Sequence, residues 1–314
     1  MRYVLRKYGL GNEHEIDISE SEYFALQRAR NILSNALAIE LKYEIVISNY
    51  LDFEQEILNS TTKHMIRGHL DYTDFFEVQL GLNIKIVNLL TAVKMYRDQL
   101  KQNVKKCLNG DKNAKDDVEK LFKNELSNNQ YFRFMEAFRD YVQHYGIPVH
   151  WTGLNSRRTS LEDDFMLEYT IELASLRIYL EEDKKMKKSG VLNEIDDKVD
   201  LKAATRSCIE SISIVHEAAR SMIADSIDCS RKLIEEAHQK YAQEYKDSEE
   251  LIACKLDDGN EQISSIPLLL YWDDIRVSLQ KRNRKLTNLR KRYATGNVKT
   301  HNKADSADVK KPRD

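Results

Sequence analysis

Proline and glycine are scarce in this sequence, which holds three prolines and ten glycines among 314 residues. Both residues interrupt helices, and proline does so most strongly. Their scarcity, together with a charged fraction of 32%, favours long helices with few interruptions. The length is sufficient for one large domain or two ordinary ones. The composition therefore predicts a mainly α-helical protein.

Cysteines and long apolar runs are also few. The four cysteines lie far apart without a CxxC pair, so neither a zinc site nor a disulfide framework is expected (Cys107, Cys208, Cys229 and Cys254). No apolar run approaches the roughly 20 residues that cross a bilayer, and the N-terminus becomes charged too early for a signal peptide. We therefore expect a cytoplasmic protein that has no membrane partner and needs no cofactor.

Motifs of several common enzyme classes are missing as well. The sequence contains no P-loop, GxGxxG, HExxH or GxSxG pattern. Nothing in it supports nucleotide hydrolysis, hydride transfer, zinc hydrolysis or serine hydrolysis.

Charge is distributed unevenly along the chain. From Arg276 to the C-terminus, 13 Lys and Arg residues stand against three Asp residues, a net charge of +10. Because the whole chain carries −2, the preceding 275 residues carry −12. This asymmetry indicates a polyanionic partner, or an acidic surface on another copy of the chain.

The first 148 residues predict a helical bundle. Alternating apolar residues predict a β-hairpin over 2–18, and a capping box of Ser19 and Glu22 opens a long amphipathic helix. A second long helix should end at Asn109-Gly110, and a shorter charged segment over 114–126 leads to a fourth helix. Gly146 should cap that last helix in the left-handed conformation, with Pro148 beyond it. Four segments in up-and-down order predict a bundle over 1–148.

A second region, 149–295, should combine a small β element with further helices. Residues 165–174 alternate with period two and predict a strand, with which 147–151 pairs across a polar loop. The helical period returns over 197–245, and Pro267 should open a last helix. That helix includes a basic amphipathic stretch, 276–293, with eight Lys and Arg residues and no acid. The tail, 296–314, should be disordered.

The stretch "RDYVQH" places four polar side chains at the end of the fourth helix: Arg139, Asp140, Gln143 and His144. Residues four apart share a helix face, so Asp140 lies with His144, and Arg139 with Gln143. Arginine offers a planar donor fork for a phosphate, and histidine can transfer a proton near neutral pH. Cleavage of RNA without a metal requires such a cation and such an acid or base.

This arrangement resembles the HEPN superfamily, whose ribonucleases carry R-x4–6-H with a polar residue after the arginine, near a helix end. Here the pattern is R-DYVQ-H, and the resemblance covers roughly residues 19–150. It implies a HEPN-like bundle, a metal-independent endoribonuclease that attacks through the 2′-OH, and a toxin or antiphage role. By that analogy Arg139 holds the scissile phosphate, His144 is the acid or base, and Asp140 and Gln143 orient them. The resemblance also implies a homodimer, with an antitoxin or other regulatory protein as a further partner.

Other residues are candidates for binding RNA. His150 and Trp151 could flank a substrate base, or they are strand residues that cover the bundle. The basic helix could contact the RNA backbone, or it docks on the acidic body (Lys281, Arg282, Arg284, Lys285, Arg290, Lys291 and Arg292). A second match to the pattern, Arg231…His238, lies inside a long helix and is interpreted as accidental.

Two interpretations of "RDYVQH" remain open from the sequence. In one, the stretch is a catalytic site. In the other, it is a solvated helix end, and the protein is a noncatalytic module that binds RNA, nucleotide or protein.

Overall fold

The computed structural model describes residues 1–8, 14–68, 71–161, 165–246 and 249–294. Helices dominate, and the prediction of a mainly α-helical protein is confirmed. The helices are α1 (Glu20–Arg67), α2 (Tyr72–Cys107), α3 (Ala114–Asn128), α4 (Gln130–His144), α5 (Arg177–Leu180), α6 (Lys184–Lys188), α7 (Leu201–Tyr245) and α8 (Tyr271–Arg282). The strands are β1 (Arg2–Lys7), β2 (Glu15–Asp17), β3 (Trp151–Arg158), β4 (Leu167–Leu176), β5 (Lys198–Asp200), β6 (Leu251–Leu256) and β7 (Gln262–Pro267).

The starts of the long helices follow from side-chain caps. Ser19 Oγ accepts a hydrogen bond from the Glu22 amide, and the Glu22 carboxylate accepts one from the Ser19 amide. Asp71 and Asp74 form the same reciprocal pair at the start of α2. Such caps satisfy amides that have no partner inside a helix. The predicted capping box is therefore confirmed.

One apolar core runs through both halves of the chain. α1 and α2 form a long hairpin, and α7 packs against α1, α2, α3 and α4. Buried side chains of the two halves, such as Phe53, Phe138 and Ile212, belong to the same hydrophobic cluster. The apolar core continues across residue 148. The domain boundary there stays a prediction.

α2 also bears on the expectation about membranes. Among the described residues, it is the one helix that is long and apolar enough to span a bilayer by length and composition. Polar residues, such as Asn83 and Lys85, interrupt α2, and 44% of its most apolar window of 18 residues is buried inside the protein.

The N-terminal hairpin is confirmed, but it belongs to a larger sheet. The strand order is β2-β1-β6-β7, with all neighbours antiparallel. Leu5 pairs with Ala253, about 250 residues further along the chain. The sequence predicted only a turn before Pro267, and the assignment of Pro267 to a helix start is wrong: Pro267 ends β7, and α8 begins at Tyr271.

A second antiparallel sheet has the order β3-β4-β5. The predicted strand over 165–174 is confirmed as β4. The pairing partner differs, because Trp151–Arg158 forms β3, so half of the predicted polar loop is a strand. Its outer residues are exposed and polar, which masks the alternating pattern.

Two helix ends differ from their predictions. Gly146 does not adopt the left-handed conformation, since the positive-φ glycines of the described chain are Gly68, Gly110 and Gly190. Position 146 requires glycine for another reason, because a Cβ there would lie 2.3 Å from the Tyr141 hydroxyl. The basic helix over 276–293 is also wrong beyond Arg282, where α8 ends. The predicted tail, 296–314, lies outside the described residues.

Residues 283–292, which we call the docked segment, explain why α8 ends early. Asn283 is buried, and its amide side chain donates to Glu44 on α1 at 2.5 Å. Leu289 is buried as well, within a short 3-10 turn. Packing of these two side chains against α1 and α7 outweighs continuation of the helix, whose side chains would otherwise remain in solvent.

Candidate functional site

α4 is fixed to the bundle through its cap and its aromatic face. Asn129 Oδ1 accepts from the Phe132 amide, and Asn129 Nδ2 donates to Ser211 on α7 at 2.9 Å. The buried face carries Phe134 and Phe138, whose rings stack at 4.9 Å between centroids. With this face buried, the polar residues of "RDYVQH" lie at the outer end of the helix.

The Arg139 side chain is held by its neighbours. One terminal nitrogen lies 2.6 Å from Asp140 Oδ1, and the other donates to Gln143 Oε1 at 3.1 Å. The side chain is 14% exposed, and its enclosed Nε has no hydrogen-bond partner among the described residues. The structure therefore brings Arg139, Asp140 and Gln143 together, while one donor of the guanidinium stays unsatisfied.

His144 occupies a different position. It lies in the last turn of α4 and is exposed, and its imidazole makes no hydrogen bond or ion pair with the described part of the chain. Asp140 therefore turns to Arg139 rather than to His144. Arg139 and His144 diverge by about 140° around the helix axis. Their side chains therefore start from different sides of α4.

His150 is part of the framework between α4 and β4. Its Nδ1 accepts from the Leu176 amide at 3.0 Å and lies 3.0 Å from the Ser175 hydroxyl, while Nε2 lies 3.1 Å from the Tyr141 hydroxyl. Burial lowers the pKa of this imidazole. Because Nδ1 accepts from a backbone amide, the neutral ring carries its proton on Nε2. His150 lies just before β3 rather than in a strand, and its contacts favour a residue that packs against the bundle over one that flanks a substrate base.

Trp151 begins β3 and is half-buried. The Lys198 ammonium lies 3.1 Å from the centroid of its ring, a cation–π contact. The indole therefore contacts the cation of Lys198 on β5, which is distant in sequence.

The predicted basic residues remain on the surface, although their helix is shorter. Seven side chains are exposed: Lys281, Arg282, Arg284, Lys285, Arg290, Lys291 and Arg292. Arg282 pairs with Glu44 at 2.6 Å, and Arg290 lies over the Tyr131 ring at 5.6 Å. The alternative of docking on the body is therefore seen in the structure, whereas contact with the RNA backbone stays a prediction.

The backbone of the docked segment is bound by one face of α7. Arg220 donates to the Asn283 carbonyl at 2.9 Å, and the Leu286 amide donates to the Ser213 hydroxyl at 2.8 Å. The Asn288 amide donates to Glu210 at 2.7 Å, and Arg206 donates to the Arg292 carbonyl at 3.3 Å. The residue numbers of the partners on α7 decrease while those of the segment increase, so the segment runs antiparallel to the helix.

A buried cluster of ionisable groups was not found from the sequence. It joins Glu40 on α1, Tyr96 on α2, and His216 and Arg220 on α7. Arg220 donates two hydrogen bonds to Glu40, at 2.6 and 2.8 Å. His216 lies 3.3 Å from Glu40 and 2.9 Å from the Tyr96 hydroxyl, and it stacks on Tyr43 at 3.7 Å. The only signal in the sequence was a histidine and an arginine four residues apart on a predicted helix.

Burial and hydrogen bonding act against each other in this cluster. Burial alone would raise the pKa of Glu40, but hydrogen bonds from Arg220 and His216 lower it to about 2. Burial lowers the pKa of His216, and it outweighs the opposing effect of Glu40. The cluster is thus a charged Glu40–Arg220 pair beside a neutral imidazole, enclosed by α1, α2 and α7.

Arg231 and His238, the second sequence match, have structural partners. Arg231 contacts Asp273 at 2.7 Å and Asp274 at 2.8 Å, and His238 Nε2 lies 2.8 Å from the Leu268 carbonyl. These contacts join α7 to α8 and to the residues that precede it. They agree with the interpretation of this match as accidental.

No group of three or more His, Cys, Asp or Glu residues suitable for a metal lies in the part of the chain that the structure describes. No known protein family, curated protein or solved structure matches the chain.

Proposed function

We propose that the protein is a metal-independent endoribonuclease that cleaves RNA by attack of the 2′-OH. Arg139 binds the scissile phosphate, and His144 acts as the general acid or base. What supports the proposal is the end of α4, where Asp140 and Gln143 orient the guanidinium of Arg139 and His144 is left open to solvent. Positioned cations and proton donors are the requirement for this chemistry.

A homodimer is part of this proposal, because Arg139 and His144 diverge within one chain. α2 carries an exposed apolar stripe of Phe76, Leu80, Ile84 and Val87, whose side chains are 53, 47, 49 and 39% exposed. An ion pair between Arg97 and Glu136 joins α2 to α4, and a hydrogen bond from the Val149 amide to Asn83 joins α2 to the residues that follow α4. The stripe therefore lies near the level of His144. A two-fold contact there would place Arg139 and His144 of two chains across from each other.

The test is cleavage of a short single-stranded RNA by purified protein. We expect Arg139→Ala and His144→Ala to lose at least 100-fold in rate while binding of RNA persists. Products should carry 2′,3′-cyclic phosphates, and EDTA should leave the rate unchanged. The matched controls are Arg28→Ala and His14→Ala, which replace exposed residues far from α4 in sequence and should retain full activity. Equal cleavage by His144→Ala and wild type would contradict the catalytic assignment.

A noncatalytic RNA-binding protein is the second candidate. The observation in its favour is the row of exposed cations on α8 and the docked segment. Such a protein would bind RNA with an affinity that falls steeply with salt and would cleave none. Loss of binding in Arg290→Gln/Lys291→Gln/Arg292→Gln, without any cleavage by wild type, would support this candidate.

The biological setting follows from the resemblance alone. We infer a cytoplasmic toxin or antiphage effector that an antitoxin or other regulatory protein controls. Induction in growing cells, with and without phage, tests this setting. Toxicity or protection with wild type, and neither with His144→Ala, is the expected result.

A further inference from the structure

The second sheet forms one wall of a large open cavity. Its volume is about 810 Å3, which lies in the range of small-molecule sites. Strands β3, β4 and β5 and the first turn of α7 line it. Neither Arg139 nor His144 belongs to this lining, so the cavity is separate from the proposed catalytic residues.

Three cations line the cavity: Arg157, Lys198 and Lys202. Among the described residues, Arg157 pairs only through its Nε, which contacts Glu168 at 2.7 Å, and the two terminal nitrogens of its guanidinium have no partner there. Lys198 lies 3.2 Å from Glu172. Arginine with free terminal nitrogens suits a phosphate, because its donors match the phosphate oxygens.

Lys202 has the least compensated charge of the three. Its ammonium is part-buried and donates to the Ile171 carbonyl at 2.6 Å, and no carboxylate of the described residues pairs with it. Asp200 also lines the cavity, but its Oδ1 accepts from the amides of Lys202 and Ala203 at the start of α7. A part-buried ammonium without a counterion favours an anion in the cavity.

Neutral polar groups complete the lining. Asn155, Ser156 and Thr170 supply donors and acceptors for a sugar or base. Trp151 lies behind Lys198, which covers its ring. Together with the cations, these groups suit a ligand that has both a phosphate and a hydrogen-bonding ring system.

The docked segment comes close to the cavity. Arg206, one helical turn after Lys202, donates to the carbonyl of Arg292. Arg290 lies over Tyr131, which lines a neighbouring cavity of about 90 Å3 together with Lys198. These contacts bring the backbone of Arg292 and the side chain of Arg290 near residues that line the two cavities, although the small cavity also holds Glu194 and Asp196.

We propose that this cavity binds a nucleotide phosphate, either as a free nucleotide or as one end of a single-stranded RNA. The phosphate lies at Lys202 and Arg157, and the nucleoside contacts Asn155, Ser156 and Thr170. The proposal does not depend on catalysis by Arg139 and His144, because a ligand can bind here whether or not the protein cleaves RNA.

The experiment is isothermal titration of the full chain with AMP, with an eight-nucleotide single-stranded RNA and with inorganic phosphate. Trp151 fluorescence in Trp272→Phe locates the site, because the chain contains only these two tryptophans. We expect saturable binding and a saturable change in Trp151 emission. Lys202→Gln and Arg157→Gln should each weaken binding at least fivefold, whereas the exposed Lys123→Gln on α3 should not.

The outcomes separate the two sources of the phosphate. Tight binding of AMP indicates a free nucleotide, while binding of RNA alone that also requires Arg290 and Arg292 indicates a chain end. Arg157 is 74% exposed, so its replacement keeps the test valid if Lys202→Gln fails to fold. No saturable binding by wild type at millimolar ligand, or equal binding by wild type and both variants, would overturn the proposal. Loss of cleavage in His144→Ala with this binding intact would leave the cavity proposal standing.

Discussion

Two arginine–histidine groups in this molecule differ in the exposure of the histidine and in the number of helices that supply their partners. Arg220 and His216 lie on α7 at the centre of the bundle, where His216 is 1% exposed and each finds a partner in Glu40. Arg139 and His144 lie at the outer end of α4, where His144 is exposed and without a partner in the described chain. In the first group the protein supplies partners for both side chains, whereas in the second Asp140 and Gln143 hold Arg139 and the imidazole of His144 is left to solvent or to a ligand.

The stability that an arginine–histidine group contributes to the fold depends on its burial. A buried charged pair is costly to desolvate, so removing one partner leaves an uncompensated charge and destabilises strongly. The pair of Arg139 and Asp140 lies within one helix and its carboxylate is 48% exposed, so water screens the pair and it contributes less to stability. The buried group therefore supports the fold, and the group at the end of α4 is the one that the proposed function uses.

Removal of Glu40 should have the largest effect. In Glu40→Ala, Arg220 loses both hydrogen bonds to the carboxylate, although its side chain is only 12% exposed. His216 loses its contact with the same carboxylate. We expect the free energy of unfolding to fall by about 3–5 kcal/mol in urea denaturation. Asp140→Ala, which removes the partner of Arg139, is the control and should cost less than about 1 kcal/mol. Similar losses in both variants would break the comparison.

The buried group should also make stability depend on pH. The pKa of Glu40 is about 2 and that of His216 is lowered, so the unfolded chain takes up protons at a higher pH than the folded chain does. The contribution of these groups to the free energy of unfolding is therefore complete above the ordinary histidine pKa. It decreases as the pH drops, first through the histidine range and then through the carboxylate range. The slope reaches about 1.4 kcal/mol per pH unit for each proton.

Urea denaturation between pH 4 and pH 8 measures this slope. A variant with His216→Phe should lose part of the slope near pH 6, and part should remain because burial also lowers the pKa of His150. An unchanged slope in His216→Phe would show that another group titrates.

Gly146→Ala tests a rigid contact next to the exposed group. The new Cβ would lie 2.3 Å from the Tyr141 hydroxyl and 2.7 Å from the ring carbon that bears it. Tyr141 is buried and stacks on Phe138, so it has little room to move. We expect a loss of about 1–3 kcal/mol in the free energy of unfolding.

Gly81→Ala on α2 is the matched control for that variant. Its Cβ would meet only the carboxylate end of Glu56 at 3.0 Å, which is a flexible side chain. Alanine inside a helix should then be neutral or stabilising by about 0.5–1 kcal/mol. A loss at Gly81 equal to that at Gly146 would refute the role of Tyr141.

Arg139→Met should have the smallest effect on stability. Two terminal nitrogens of Arg139 have partners on its own helix, but its Nε is enclosed without one. The gain from removing an unsatisfied donor offsets the loss of the pair. We expect a change within about 0.5 kcal/mol in urea denaturation, and a loss above about 2 kcal/mol would place Arg139 among the structural residues.

Local patterns in the sequence predicted the helices and much of the candidate site. The capping box at Ser19, the long helices over α1, α2 and α7, the N-terminal hairpin and strand β4 all depend on neighbours within a few residues. So does the pairing of Arg139 with Gln143, four residues apart. These contacts are encoded in short windows, and sequence reading therefore recovers them.

The remaining features depend on packing between distant parts of the chain. Strand β1 pairs with β6 across the whole chain, and Glu40 meets Arg220 across 180 residues. The basic stretch has the period of a helix, but it leaves α8 at Arg282 because Asn283 and Leu289 gain burial and hydrogen bonds against α1 and α7. Gly146 was assigned to a left-handed cap, although the approach of Tyr141 is what requires glycine there.

The sequence by itself determined a helical protein with few interruptions, capped helix starts, a basic C-terminal region and a polar cluster at the end of α4. The tertiary structure alone decided that α7 crosses both halves of the chain, that Glu40, His216 and Arg220 form a buried cluster, and that the docked segment runs antiparallel to α7. The reason is physical. Helix propensity and capping act within a turn, whereas burial of charge and apolar surface depends on which distant segments meet.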